Sequence, residues 1–394
     1  MTLPLYGTAT YGAGFSTDRA RSAIRLRSPE SAAERKPSDF ALVKTLGQIE
    51  QAIKADWRSI FVISDSAAEI DSWATPGQRI VSVSAKYNYL GDGDVLGYDH
   101  CSKKFRTLFR RSSAHNSLLV TERCNNYCLM CSQPPKDVDD RWILNEIKES
   151  IPLFDRSTRA LTFTGGETLS DWQDFIDLLE RCRDQLPSTS IQVLTNGRAF
   201  AISEVVDAWK RVKHPSLMAA IPVYSSVDYV HDHVVQSKGA FDETILGILK
   251  LKDRGQRIEI RVVLHALTAP TISETCKWIA RNLPFVDHVA LMGLENTGFA
   301  IANDSILWID PIDYRDQLAE GIDHLIAAGV PTSIYNLQRC VLNRSVWPYA
   351  VQSISDWKNG FVEECNHCSE RENCSGFFTT GRPRLSRGIK AFYS

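Results

Sequence analysis

Three cysteines, Cys124, Cys128 and Cys131, stand at C-x3-C-x2-C spacing within Cys124-Asn125-Asn126-Tyr127-Cys128-Leu129-Met130-Cys131. Three thiolates can hold three irons of a [4Fe–4S] cluster and leave the fourth iron open to a small-molecule ligand. Ten cysteines scattered at random over 394 positions would produce this spacing in roughly 1 chain in 150. Asn125, Asn126 and Tyr127 between the thiols suit an exposed loop, which argues against three unrelated core cysteines. A second set, Cys340, Cys365, Cys368 and Cys374, has C-x24-C-x2-C-x5-C spacing and supplies four more candidate ligands. Four thiolates suit a second iron–sulfur cluster or a structural zinc. His367 lies inside this set, where it either replaces a cysteine as ligand or stands by, with the second reading preferred; Cys101, Cys182 and Cys276 lack ligand-like neighbours and read as structural.

Strands alternating with amphipathic helices must position the first set. Strands are expected at Ser117–Thr121, Ala160–Thr164, Ile191–Leu194, Ala219–Tyr224, Ile258–Leu264 and Val289–Leu291. Helices are expected at Trp172–Arg183, Glu204–Val212, Phe241–Arg254 and Ile272–Asn282, with a further one opened by Asp310-Pro311. Six such units fit an α/β fold built as a partial (β/α)6 TIM-like barrel, whose active site lies in loops at the strand C-terminal ends. Thr164-Gly165-Gly166-Glu167 ends the second of these strands, where glycines allow a close backbone approach to a ligand. Thr195-Asn196-Gly197 ends the third, where it either holds a sugar hydroxyl or makes a simple Asn-Gly turn.

The expected organisation is an N-terminal α+β domain with a flexible start over 1–114, the barrel over 115–336 and a cysteine-rich extension over 337–394. In the first region Phe40–Ala55 carries a helical stripe, and Ile60–Ile63 and Arg79–Val83 read as strands. Lys104–Arg111 reads as a basic strand, either a charge-protected edge or a dock for an extended peptide. Arg19, Arg21, Arg25 and Arg27 form a basic cluster best read as a solvated face.

Composition is that of a globular protein: 43% hydrophobic and 23% charged, with a net charge of −2, which argues against a general nucleic-acid binder. No apolar run reaches the length of a membrane span, and Met1–Phe15 has no secretory pattern. Ten cysteines in that context point to a reducing cytoplasm and metal ligation.

The cysteine loop, followed by Gly165-Gly166-Glu167 and Thr195-Asn196-Gly197 at successive strand ends, resembles the radical SAM superfamily over roughly 116–300. The resemblance implies a cluster whose open iron binds S-adenosylmethionine. Gly165, Gly166 and Glu167 would contact the methionine amino group, and Thr195, Asn196 and Ser225 would lie near the ribose. Arg261 would pair with the methionine carboxylate, or serve instead as a salt-bridged barrel residue. Gly293 and Leu294 would pack the adenine, with Met130 contributing backbone where the family often has an aromatic. Beside such a barrel, the C-terminal cysteines favour an auxiliary [4Fe–4S] cluster in electron transfer over zinc.

Flanking words narrow the resemblance: Leu118-Leu119-Val120-Thr121-Glu122-Arg123, Ser132-Gln133-Pro134-Pro135, Leu291-Met292-Gly293-Leu294-Glu295, Ser353-Ile354-Ser355-Asp356-Trp357-Lys358 and Gly376-Phe377-Phe378. Together they resemble the C-type radical SAM maturases of the His-Xaa-Ser system. That implies a bacterial, cytoplasmic enzyme modifying a ribosomally made peptide, beside a second radical SAM maturase, with flavodoxin or ferredoxin as electron donor and no DNA or membrane partner. A small metabolite or tRNA as substrate, or an inactive iron–sulfur partner, are the alternatives.

Overall fold

The computed structural model describes residues 3–11, 20–31, 34–65, 78–352, 359–379, 381 and 384–393. Arg19 and the Ser353–Lys358 word lie outside the described residues.

The N-terminal strands are β1 (Tyr6–Thr8), β2 (Thr10–Tyr11), β3 (Arg21–Arg27), β4 (Asp39–Val43), β5 (Ser59–Ile63), β6 (Arg79–Val83), β7 (Val95–Asp99) and β8 (Lys104–Phe109). Their order is β1-β8-β7-β3-β4-β5-β6-β2. Only Ala9 separates β1 from β2, so one N-terminal segment pairs with β8 at one edge and β6 at the other. The sheet therefore closes around a core that includes Leu26, Phe40, Phe61, Leu96 and Phe105.

Two expectations change here. The stripe over Phe40–Ala55 divides into β4 and helix α1 (Leu46–Lys54). Phe40–Val43 is buried and pairs with β3 and β5, so tertiary pairing overrides the helical spacing. The edge of the basic strand β8 is occupied by β1, so an added peptide strand finds no free edge there. The arginine cluster is paired: Arg21 with Asp99 at 2.7 Å and Arg25 with Asp39 at 2.8 Å.

The second sheet is all-parallel and has seven strands: β9 (His115–Thr121), β10 (Ala160–Gly165), β11 (Ser190–Leu194), β12 (Leu217–Pro222), β13 (Arg257–Leu264), β14 (His288–Gly293) and β15 (Thr332–Tyr335). They pair in sequence order, which is the arrangement of a partial TIM-like barrel. The six expected strands are present, and β15 adds a seventh beside β14. Between them run α2 (Arg141–Ser150), α3 (Trp172–Gln185), α4 (Ser203–Val212), α5 (Asp228–Val235), α6 (Ala240–Asp253), α7 (Ile272–Asn282), α8 (Phe299–Ala302), α9 (Asp304–Leu307) and α10 (Pro311–Ala327). Asp310 caps α10 by accepting from the Ile312 N–H at 3.1 Å, with Pro311 in its first turn.

Period-two alternation assigns the faces. On β13, Ile258, Ile260 and Val262 are fully buried in the main core, while Glu259, Arg261 and Val263 take the opposite, concave face. The two sheets meet through α2. Arg106 Nε donates to buried Glu146 at 2.6 Å, and Arg21 stacks over Trp142 at 3.5 Å. A Cβ at Gly97 would lie 2.3 Å from Glu146 Oε2, so glycine makes room for that carboxylate.

After β15 the extension buries Val341, Leu342 and Val346 in the barrel core. A short hairpin, β16 (Asn359–Gly360) with β17 (Phe377–Phe378), follows. The tail returns to α10, where Ser386 Oγ donates to Asp310 at 2.5 Å and Arg387 pairs with Asp313.

Candidate active site

The loop of Cys124, Cys128 and Cys131 leaves the C-terminal end of β9, where a parallel barrel places its chemistry. All three thiols are free and partly buried. Burial pushes the Cys124 thiol up to about 11 and raises Cys128 and Cys131 as well. Cys128 feels the charges of both other thiols, so the three share one electrostatic neighbourhood. Among the described residues, no three His, Cys, Asp or Glu side chains converge tightly enough for a single metal ion. Three free thiols on one loop, with the arc fixed from outside, suit the larger body of a cluster.

The loop is held on every side. Tyr127 N–H donates to Val235 O at 3.0 Å and Leu129 N–H to Val234 O at 2.9 Å, seating it on the end of α5. Phe299 N–H donates to Cys131 O at 2.8 Å and Asn303 Nδ2 to Leu129 O at 2.8 Å, seating it against α8 and α9. Upstream, Asp140 accepts from Thr121 Oγ1 at 2.8 Å, from Glu122 N–H at 2.5 Å and from Arg123 Nε at 2.9 Å.

The glycine pair packs closely against the start of the cysteine loop. A Cβ on Gly165, at φ +146°, would stand 2.3 Å from Thr121 O. One on Gly166 would stand 2.1 Å from Arg123 O and 3.1 Å from Cys124 Cβ. Gly166 and Glu167 N–H donate to Thr121 O and Arg123 O, each at 2.8 Å. Both glycines thus let the end of β10 close against the backbone entering the cysteine loop.

Glu167 is buried, and its carboxylate accepts from Leu169 N–H at 2.9 Å, Thr195 Oγ1 at 2.6 Å and Asn196 N–H at 2.7 Å. Burial raises its pKa, and the three donors oppose that shift. In this arrangement Glu167 and Thr195 tie β10 to β11 and do not project into open space. Replacing Glu167 with alanine should cost about 3 kcal/mol, read from the denaturant midpoint, because buried donors lose their acceptor.

The other expected residues spread around the barrel mouth. Asn196 Nδ2 donates to Asn125 Oδ1 in the cysteine loop at 2.6 Å. Ser225 is buried and accepts from the Val227 N–H at 3.1 Å, closing its own turn. Met130 is buried with Tyr224, Val234 and Val235, and Leu294 packs against the same group. Gly293 and Leu294 also line an open cleft with Trp308, Gln338, Phe377 and Arg384.

Arg261 lies deeper, on the concave face. Its Nη1 donates to buried Glu259 at 2.7 Å and its Nη2 to Met292 Sδ at 3.0 Å. Glu259 also accepts from Gln192 Nε2 at 2.9 Å and contacts His288 Nδ1 at 2.9 Å, while His288 Nε2 reaches Ser333 Oγ at 3.0 Å. This polar tie across four strands escaped the sequence reading. Glu259 is two residues from Arg261, and strand alternation puts both on one face.

Cys340, Cys365, Cys368 and Cys374 line one small pocket, walled partly by Phe361 and Phe392. The charges of Cys365 and Cys374 act on Cys340, whose pKa burial raises, and Phe392 N–H donates to Cys368 Sγ at 3.3 Å. The donor set and the shared cavity fit a four-thiolate group. Cys182 and Cys276 are fully buried and Cys101 is exposed.

Comparison with known proteins agrees with this geometry. Residues 118–279 match the model of the Radical SAM superfamily. The pyruvate formate-lyase-activating enzyme of Clostridium pasteurianum is 23% identical over 195 residues, covering 46% of this chain and 76% of that protein. Among solved structures, Streptococcus suis SuiB bound to S-adenosylmethionine is 13% identical, with TM-score 0.46, over 62% of this chain and 54% of that one. Coproporphyrinogen III oxidase (HemN) of Escherichia coli, a radical SAM enzyme, is 15% identical, with TM-score 0.44, over 56% and 54%. The chain thus spans about half the length of both structures. Residues 118–279, which match that family model, hold the cysteine loop and the first five of the seven parallel strands of a partial-barrel fold.

Proposed function

We propose that the chain cleaves S-adenosylmethionine at the Cys124–Cys131 loop and uses the resulting radical to modify a ribosomally made peptide of the His-Xaa-Ser type. The observation that carries the first part is the closure of Gly165 and Gly166 onto the backbone entering a loop of three free thiols. When bound, a [4Fe–4S] cluster supplies the electron that splits the sulfonium into methionine and a 5′-deoxyadenosyl radical. Cys124, Cys128 and Cys131 would hold it as thiolates, their protons leaving on binding. Asn196, Ser225, Gly293 and Leu294 border the mouth, where a nucleoside would rest. Arg261 offers its guanidinium to the concave face, with Glu259 as its fixed counter-charge. Met130 and its apolar neighbours back the loop and keep water from its underside.

The peptide rests on the flanking sequence. The words Leu118–Arg123 and Leu291–Glu295 build β9 and the exit of β14, two of the strand ends at the mouth. The sheet leaves β9 and β15 unpaired with each other, so the half-barrel is open on one side to a large substrate. Cys340, Cys365, Cys368 and Cys374 hold an auxiliary [4Fe–4S] cluster in this proposal. A flavodoxin or ferredoxin supplies electrons and a second maturase acts alongside, in the cytoplasm. No helix among the described residues is long and apolar enough to cross a membrane.

Co-expression with a neighbouring short peptide gene, followed by mass measurement, tests the proposal. A loss of about two mass units, absent with the Cys124/Cys128/Cys131→Ala variant, is the result expected for an oxidative coupling. An unchanged peptide with unchanged residue chirality would remove the peptide from the proposal.

A further inference from the structure

Arg198 follows Thr195-Asn196-Gly197 directly and makes a dense set of contacts with the cysteine loop. Its Nη1 donates to Asn125 O at 3.0 Å, to Asn126 Oδ1 at 2.6 Å and to Ser237 Oγ at 2.9 Å. Its Nε donates to Glu243 Oε2 at 2.6 Å, so a carboxylate holds the guanidinium from behind. The side chain is 14% exposed and Asn126 is buried. Asn125 and Asn126 occupy the arc between Cys124 and Cys128, and Asn126 N–H points to Cys124 Sγ at 3.4 Å.

The base of this clamp is itself rigid. Gly197 takes φ +80°, which turns the chain sharply after β11. Helix α6 packs directly on that turn: Thr244 Oγ1 donates to Asn196 O at 3.0 Å, and a Cβ on Gly247 would stand 2.4 Å from Gly197 O. Arg198 N–H donates to Asn196 Oδ1 at 3.0 Å, while Asn196 Nδ2 holds Asn125. Rigidity therefore passes from α6 through residues 196–198 to the loop, along fixed hydrogen bonds.

We propose that Arg198 is the positioning residue of the cysteine loop, holding the Cys124–Cys128 arc in its ligating shape before any cluster is present. A preformed arc spares the cluster the cost of ordering five loop residues. The inference rests on the reading of these cysteines as cluster ligands only for what the loop is shaped to hold. The order of the loop is measurable without metal.

Hydrogen exchange of the full chain, prepared free of iron and again after anaerobic reconstitution, tests it. In Arg198→Gln the amides of Asn126 to Cys131 should exchange about tenfold faster in the iron-free chain, with β10 to β12 unchanged. Arg198→Lys, which keeps the charge and three donors but loses the Glu243 contact, should recover most of that protection. Reconstituted Arg198→Gln should also release iron from this loop to a chelator several-fold faster. Wild-type exchange across the loop in Arg198→Gln would overturn the proposal. If exchange rises throughout the barrel, Asn126→Ala, which removes one acceptor from the opposite side, is read by the same criterion. Failure of the wild-type loop to take up iron, with faster exchange in Arg198→Gln, would sink the cluster reading and leave the positioning role standing.

Discussion

Replacing Gly166 with alanine should abolish cluster binding at the Cys124–Cys131 loop while leaving the C-terminal cysteines loaded. The new Cβ would lie 2.1 Å from Arg123 O and 3.1 Å from Cys124 Cβ, and the first of these is backbone. Arg123 cannot yield easily, because its side chain is pinned by both Asp140 and Asp171. The backbone must therefore move, carrying Cys124 with it, at a cost of about 3 kcal/mol. Iron should fall from about eight to about four per chain, with a lower melting temperature. Gly165→Ala adds the strain of φ +146° to a 2.3 Å approach to Thr121 O and should be at least as severe. Wild-type iron content in Gly166→Ala would show that the close approach is not what shapes the loop.

The second large effect is expected from Cys124, Cys128 and Cys131 changed together to alanine. These thiols are only partly buried and bear little of the core, so the fold should survive. The barrel core lies on the other face of the sheet, in residues such as Phe163, Phe175 and Leu179. Iron should again fall to about four per chain, held by Cys340, Cys365, Cys368 and Cys374. The paired experiment on those four should leave about four irons at the N-terminal loop. Four irons plus one zinc in the wild-type chain would replace the auxiliary cluster by a structural zinc.

Much of the barrel was legible because parallel strands buried on the helix side and helices with one apolar face leave strong periodic patterns. The helix Ile272–Asn282 was read to the residue, and the Asp310-Pro311 start of α10 is visible in its capping chemistry. The strand β3 was not legible, since Arg21, Arg25 and Arg27 alternate with its buried positions and mask it as a solvated stretch. What made it a strand lies far along the chain, in β7 and in Asp99 and Asp39.

At the site, the cysteine spacing was readable but its mechanical support was not. The glycine pair reads from sequence as a close-approach site, and the backbone atoms it approaches, Thr121 O and Arg123 O, lie more than 40 positions upstream. The bond from Asn196 Nδ2 to Asn125 Oδ1 spans 71 positions and has no local signal. Arg198 gives one signal, its place directly after Thr-Asn-Gly, yet two of its acceptors, Asn125 and Asn126, lie more than 70 positions upstream in the cysteine loop. Spacing reveals which side chains can bind a metal; the contacts that hold them in place are long-range.

The most direct test of the account is 5′-deoxyadenosine formation by the reconstituted chain with S-adenosylmethionine and dithionite, without oxygen. The wild-type chain should release 5′-deoxyadenosine and methionine in equal amounts, and the Cys124/Cys128/Cys131→Ala variant should release neither. Cleavage that persists in that variant would contradict the assignment of this loop as the place where the cofactor is split.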